Sequence, residues 1–339
     1  MTPAIFSLSS PKLTDAERAF FKEADPAGYI LFGRNIETRE QVRALTDDLR
    51  SIQGREKLLI SVDQEGGRVS RMKPPEWPAY PPQGVFAQLY EVAPASAIQA
   101  ARANAQLLAM DLHEVGITVD YLPLLDVRVE GAHDVIGDRA LGAEPMQVAA
   151  LGRAVLEGLT RGGVTGCVKH MPGHGRAMVD SHKDLPVVDA GEAELDVDIA
   201  PFKRLADAPI AMSAHIRYTT WDRDNPATLS EKVISEIIRS RIGFDGLLLT
   251  DDIDMEALDG TIPERSARAI AAGCDVVLNC WGKMEDMEGT VKALPAMSDA
   301  ARKRLDRALV NAGTPTDPAP REDLLKLRDG LLDAAGVAA

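Results

Sequence analysis

The amino-acid sequence predicts a single α/β domain of the (β/α)8 barrel class. Three observations lead there. Eight short apolar runs alternate with amphipathic helical patterns, most of these runs end in an unusual density of polar residues, and no long linker divides the 339 residues. Strands buried on both faces read as Val-, Ile- and Leu-rich runs, and regular β–α alternation calls for a parallel sheet. A barrel of this class commonly exceeds ~250 residues as one domain. A doubly wound sheet is the competitor, and periodicity does not exclude it. No G-x-G-x-x-G follows the first run, which disfavours its dinucleotide-binding version.

In chain order the strands are expected at 4–8, 28–32, 58–62, 121–127, 164–169, 210–214, 246–250 and 275–279. Between the first two, Thr14 and Glu17 have the spacing of a capping box, in which each side chain satisfies the other residue's free N–H. Thr38 and Gln41 repeat that spacing ahead of Val42, Leu45, Leu49 and Ile52, one apolar helical face. The Pro-rich stretch 74–82 reads as a loop. Ile98, Ala101, Ala105, Leu108, Leu112 and Val115 continue the helical spacing, and Ser230 precedes another helix over Val233–Ile242. Residues 1–312 are assigned to the barrel, and 313–339 to a linker with a last helix near 321–335 packed on it.

Composition narrows the partners. Acidic residues outnumber basic ones by 14, which argues against a surface for nucleic acid or for anionic membranes. Three cysteines, Cys167, Cys274 and Cys280, lie in apolar contexts and form no disulfide framework. No basic-then-apolar leader and no run of ~18 apolar residues is visible, so a cytoplasmic protein is expected.

A barrel of this class carries its site where the strands end. Here those ends bring Asp63, Gln64, Glu65 and Arg68, then Asp126, Lys169–His170, His215, Asp251–Asp252 and Asn279. Asp and Asn also collect at turns for local reasons. Lys and His have no such preference, so the ends are expected to converge on one pocket. Three of the six histidines, His170, His174 and His182, lie on one Pro- and Gly-containing stretch. That density raises a zinc site, but the helical i, i+4 pair and the Cys pairs of such sites are missing. Asp180, two residues before His182, can orient its imidazole and raise its basicity. The run 246–250 delivers Asp251 into the barrel mouth, where a carboxylate can attack carbon or bind a cation. Asp252 or Asp254 is expected to cap a following helix.

Together these segments resemble glycoside hydrolase family 3, in particular its single-domain bacterial β-N-acetylglucosaminidases. The family's K-H-F-P-G-H-G-(x4)-D-S-H pattern stands here as Lys169 to Gly175 followed by Asp180-Ser181-His182. Its D-Q-E-G-G-R-V-x-R stretch is Asp63 to Arg71, and its S-D-D-L motif is Thr250-Asp251-Asp252-Ile253. Pro123 to Asp126, Ile136 to Arg139 and Met212 to His215 match further, and the likeness runs from Ala4 to Cys280. Two departures are Met171 in place of Phe and Arg176-Ala177 in place of Asp-Thr.

The resemblance implies a (β/α)8 barrel and retaining hydrolysis of terminal β-linked N-acetylglucosamine from muropeptide-derived saccharides in peptidoglycan recycling. It implies Asp251 as nucleophile and His182, oriented by Asp180, as acid/base. It further implies that Asp63, Arg71, Arg139, Lys169 and His170 hold the sugar. Arg71 and Arg139 are both expected to be dispensable for stability. This chemistry calls for no metal and no organic cofactor, and the partner is a small saccharide. The competing functions are another β-glycosidase, such as a β-glucosidase, a catalytically silent sugar-binding barrel, and a metal-dependent barrel hydrolase.

Overall fold

The computed structural model describes residues 1–131, 136–179 and 184–338. Eight parallel strands close into a ring in the order β1-β10-β9-β7-β5-β4-β3-β2. They are β1 (Thr2–Ser7), β2 (Pro26–Leu31), β3 (Leu59–Val62), β4 (Val119–Asp120), β5 (Thr165–Met171), β7 (Ile210–Ser213), β9 (Leu247–Asp252) and β10 (Val276–Asn279). The short strands β6 (Val187–Val188) and β8 (Arg217–Tyr218) pair with each other outside the ring. The expected (β/α)8 class is the observed one, in one ring with no sheet edge left open.

Helices wrap the outside: α1 (Asp15–Ala24), α2 (Arg39–Gln53), α3 (Gly84–Val92), α4 (Pro94–Glu114), α5 (Pro145–Arg161), α6 (Glu192–Arg204), α7 (Ile262–Ala272), α8 (Met284–Ala293), α9 (Asp299–Ala308) and α10 (Arg321–Ala334). The segment Val233–Ile242 between β8 and β9 is a wider, π-type helix, and Ser230 Oγ accepts the Val233 N–H at its start. Thr14 and Glu17 form the full reciprocal capping box on α1. On α2 only half of the expected box forms. Thr38 accepts the Gln41 N–H, but the Gln41 side chain accepts from Glu37 instead.

The fourth strand departs most from expectation. A run at 121–127 was the candidate, whereas regular pairing covers Val119–Asp120 alone, with one isolated bridge from Leu124 to Lys169. Pro123 has no N–H to give the ladder, so the chain follows β5 by irregular bonds, among them Leu125 N–H to Lys169 O at 2.7 Å. This leaves residues 121–126 free to curve inward at the mouth of the ring.

The ring interior is filled from below and open above. Ile5, Leu59, Val119, Cys167, Ile210, Leu247 and Val276 pack with Leu305, Ala308 and Leu309 from α9 and the turn after it. α9 thus plugs the N-terminal end of the ring, tied there by Thr165 Oγ1 to Ala308 O at 3.0 Å. Ile30, Tyr121, Met212 and Leu278 form the floor of the opposite, open end. α10 lies on α4, joined by Arg328 to Asn104 and by Arg321 to the buried Asp111. Among the described residues no helix is long and apolar enough to cross a membrane.

Candidate active site

A cavity of about 270 Å³ occupies the C-terminal mouth of the ring. Its wall includes Asp63, Arg71, Arg139, Lys169, His170 and Asp251, which are all the expected site residues that fall within the described chain. His182 and Asp180 lie outside the described residues.

The segment after β3 is built to present two acids and an arginine. Gly66 turns with a φ of 89°, and a Cβ there would stand 2.3 Å from Pro81 O, so only glycine fits. Glu65 N–H bonds back to Val69 O, closing a tight hairpin. The Gln64 amide then pins the returning chain: its oxygen accepts the Arg71 and Met72 N–H groups, and its nitrogen donates to Met72 O. Arg71 is thereby held over the Phe32 ring, 5.3 Å from its centroid, with Nη2 3.3 Å from Asp63 Oδ2.

Beneath the hairpin runs a buried charge network. Lys169 Nζ stands 3.0 Å from Asp63 Oδ1 and 2.7 Å from Glu65 Oε1. Arg139 reaches Glu65 with two parallel bonds, Nε to Oε2 at 2.7 Å and Nη2 to Oε1 at 2.8 Å. Burial alone would raise the Glu65 carboxyl, but Lys169 and Arg139 outweigh it and hold it far below the usual carboxylate range. The same acids keep Lys169 and Arg139 firmly cationic despite their burial. Arg139 is thus partly committed within the protein, since its fork grips Glu65.

Asp120, at the end of β4, is the exception. Its Oδ1 accepts the Gln64 N–H at 2.9 Å, while Oδ2 is buried without a hydrogen-bond partner. Burial, with Asp63 and Glu65 nearby, pushes this carboxyl well above its usual range.

His170 follows Lys169 on β5. Its Nδ1 lies 2.8 Å from Asp126 Oδ2, and Asp126 Oδ1 accepts the main-chain N–H groups of His170 and His174. Burial would raise Asp126, but His170 lowers it further, so the carboxylate is ionised and only accepts. Nδ1 therefore carries the proton, and Nε2 is the nitrogen left for the cavity. His174 packs edge-on, its ring centroid 5.4 Å from that of His170. Burial, and then His170, pull His174 down to about 4. Gly175 has no alternative residue: a Cβ there would stand 1.8 Å from Val127 O, in the inward-curving fourth segment. Arg176, one of the two departures, binds α6 instead, with Nε 2.7 Å from Asp198 Oδ2 and Nη1 3.2 Å from Glu194. Burial pushes Asp198 up to about 6 against that arginine.

On β9, Asp251 Oδ1 accepts the Asp252 N–H at 2.8 Å. The Asp252 carbonyl accepts from His215 Nε2 at 2.9 Å. A carbonyl cannot donate, so Nε2 bears the proton and His215 Nδ1 accepts from Thr228 Oγ1 at 2.8 Å. Burial lowers His215, in keeping with this neutral form. The expected helix cap is not there. Asp252 Oδ1 accepts the Asp254 N–H, and Asp254 Oδ2 accepts from Cys280 and Trp281 beyond β10. The next helix, α7, is capped by Thr261. The acid run turns because its N–H groups are satisfied locally and across to β10, not by a helix. Burial and Asp254 push the Asp252 carboxyl well up.

Sequence reasoning placed Glu65, Asp126 and His215 at the converging strand ends and His174 in the histidine cluster, but gave none of them a role. The first two were visible as strand-end acids, but their partners are 74 and 44 residues away and meet only when the ring closes. The arrangement can hold a polyhydroxylated ring: fixed cations and carboxylates on the β3 and β5 side, one oriented imidazole, and an acid on β9. Among the described residues no group of three or more His, Cys, Asp or Glu is placed to hold a metal ion.

Comparison with known proteins follows the same lines. Residues 4–310 match the family described as "Glycosyl hydrolase family 3 N terminal domain". A protein of Chromobacterium violaceum named "Beta-hexosaminidase" is 39% identical over 311 residues, 90% of this chain and 86% of that one. The crystal structure of native NagZ from Neisseria gonorrhoeae superposes with a TM-score of 0.85 at 30% identity, covering 100% of this chain and 98% of that one. The same protein in complex with N-trifluoroacetyl-D-glucosamine gives 0.85 at 29% identity with the same coverage.

Proposed function

The chain belongs to glycosyl hydrolase family 3, and from that membership we propose that it is a β-N-acetylhexosaminidase removing terminal β-linked N-acetylglucosamine from muropeptide-derived saccharides, in the recycling of peptidoglycan. Relatives named "Beta-hexosaminidase" over most of their length support the reaction, as does the neighbour that binds an N-acylated glucosamine. One observation carries the reading. Asp251 stands in the wall of a cavity whose far side is the Asp63–Lys169–Glu65–Arg139 network, so a sugar gripped by its hydroxyls there presents its anomeric carbon toward β9.

In the proposed cycle an Asp251 carboxylate oxygen attacks the anomeric carbon while the bond from that carbon to the leaving oxygen breaks. The leaving oxygen takes a proton from His182, which Asp180 orients. Neutral His182 then removes a proton from water, and the water oxygen displaces Asp251 from the glycosyl ester. Two inversions leave the β configuration retained. Histidine suits both halves, since its ordinary pKa of ~6.5 allows either state near neutrality. Asp63, Arg71, Lys169, Arg139 and His170 hold the ring, with Glu65 and Asp126 fixing the last three. The assignment of His182 and Asp180 rests on the Asp180-Ser181-His182 sequence that follows the Lys169–Gly175 motif.

An activity comparison tests the reading. Purified protein should hydrolyse an aryl β-N-acetylglucosaminide far faster than the corresponding β-glucoside. Equal rates, or glucoside alone, would replace the hexosaminidase reading by another β-glycosidase, and turnover of neither would leave a sugar-binding barrel.

A further inference from the structure

Residues 70–82, which lead from the hairpin after β3 to α3, form no helix or strand. The five prolines among residues 74–82 also have no N–H to give. The place of this stretch is therefore set by side chains, and its two large aromatic ones are buried. The Arg39 guanidinium of α2 lies 5.5 Å from the Trp77 ring centroid, and the Tyr80 phenol donates to Asp111 Oδ2 of α4 at 2.5 Å.

The chain from Tyr80 to Gln83 grips the hairpin at three consecutive residues. Tyr80 O accepts the Gly67 N–H at 2.8 Å, Pro81 O stands against Gly66 with no room for a Cβ, and Gln83 Nε2 donates to Glu65 O at 2.8 Å. Asp63, Glu65 and Arg71 enter the cavity wall from this hairpin and its two ends. Tyr80 is thus bonded to the helical shell by its side chain and to the site by its carbonyl.

Asp111 is the point where the end of the chain enters. A buried carboxylate needs cations, and it has two. Arg321 Nη2, in the first turn of α10, donates to Asp111 Oδ1 at 2.7 Å, and Arg39 Nη1 stands 3.4 Å from the same oxygen. Arg321 lies past residues 4–310, which match the family, and α10 contributes nothing to the cavity wall.

We propose that Tyr80 is a positioning residue for the hairpin that carries Asp63 and Arg71, and that Arg321 of the C-terminal helix acts on substrate binding through it, by way of Asp111. The inference rests on the hexosaminidase reading, in which Asp63 and Arg71 hold the sugar.

Full-length variants, assayed on nitrophenyl β-N-acetylglucosaminide and melted thermally, separate positioning from support of the fold. Tyr80→Phe keeps the buried ring and removes its bond to Asp111. KM should rise about fivefold, with kcat within about twofold of wild type, because the hairpin holds the sugar before and during reaction alike. Arg321→Ala should raise KM about threefold, since Arg39 remains on Asp111, and Arg321→Lys should recover much of that. Arg321 is 36% exposed in its side chain, so its variants carry the test where Tyr80→Phe fails to fold. Arg328→Ala removes another tie between α10 and α4, at Asn104, without touching Asp111. It should lower the melting temperature and leave KM unchanged. In the Tyr80→Phe background, Arg321→Ala should lower the melting temperature further yet add nothing to KM, because its route is already cut. An unchanged KM in folded Tyr80→Phe or in Arg321→Ala overturns the proposal. So does a rise in KM in Arg328→Ala, or a full additional rise in the double variant. Wild-type protein inactive on the N-acetylglucosaminide would instead remove the hexosaminidase reading, and this inference with it.

Discussion

His170 Nδ1 and Asp126 Oδ2 lie 2.8 Å apart, although 44 residues separate them in the chain. The same carboxylate accepts the N–H groups of His170 and His174, so one buried acid sets both the ring orientation of His170 and the backbone that carries it. Asp126→Asn should preserve the fold yet lower kcat/KM for N-acetylglucosaminides by about 10²-fold, because a misplaced contact group costs that much. Steady-state kinetics beside a thermal melt will check this. Unchanged kinetics would mean that His170 does not hold the substrate.

Glu65 links stability to pH. Its carboxyl is depressed in the fold by Lys169 and Arg139 against the opposing effect of burial, and Asp126 is depressed by His170 in the same way. A carboxyl held low binds fewer protons folded than unfolded, so its contribution is complete above the ordinary Glu or Asp value of ~4. It drains away as pH falls below that value toward the folded one. Unfolding free energy should therefore drop steeply below about pH 4. Glu65→Gln should cost about 3 kcal/mol near neutrality, by removing the buried carboxylate that Lys169 and Arg139 share, and should flatten the acid limb. Denaturant melts at several pH values will measure both effects.

Arg71 and Arg139 separate where sequence alone treated them alike. The Arg71 side chain is 30% exposed, with one longer contact to Asp63, whereas Arg139 is 12% exposed and grips the buried Glu65 with two short bonds. Arg71→Ala should weaken substrate binding with a melting temperature within a few degrees of wild type. Arg139→Ala should lose both, with about 3 kcal/mol of stability gone, since it leaves the buried Glu65 with Lys169 as its one remaining cation in this network. Equal melting temperatures for the two variants would refute the distinction.

These contrasts show what a linear reading can reach. The eight strands were legible because both of their faces are buried and their apolar runs are nearly continuous; β4 was misplaced because apolar residues 121–125 continue inward past Pro123 without a regular ladder. The glycines of the hairpin and of the β5 loop were legible as motif, and their reason, backbone carbonyls at Pro81 and Val127, was not. Asp252 or Asp254 was read as a helix cap because local rules favour that role for Asp before a helix. In the fold Asp254 is claimed by N–H groups at the end of the neighbouring strand, at Cys280 and Trp281. Contacts made by ring closure leave no local signature.

His182 can be separated from a residue that merely binds. A general acid matters in proportion to the leaving group's need for a proton. His182→Ala should cripple disaccharide hydrolysis far more than the first step on a nitrophenyl glycoside, whose leaving group departs unprotonated. With the nitrophenyl substrate, breakdown of the glycosyl-enzyme should become limiting, and azide should restore turnover as the β-glycosyl azide. Asp180→Ala should give a milder version. Equal losses on both substrates would reduce His182 to a binding contact.

The central claim is covalent catalysis through Asp251, and trapping tests it most directly. Protein incubated with a slow 5-fluoro N-acetylglucosaminyl donor, then digested and sequenced by mass spectrometry, should carry one sugar on Asp251, with activity lost in proportion to labelling. Asp251→Ala should take up no label and retain its fold, with kcat reduced by ~10³-fold or more. Label on Asp252 or Asp254, or time-dependent turnover with no labelled carboxylate at all, would contradict the account.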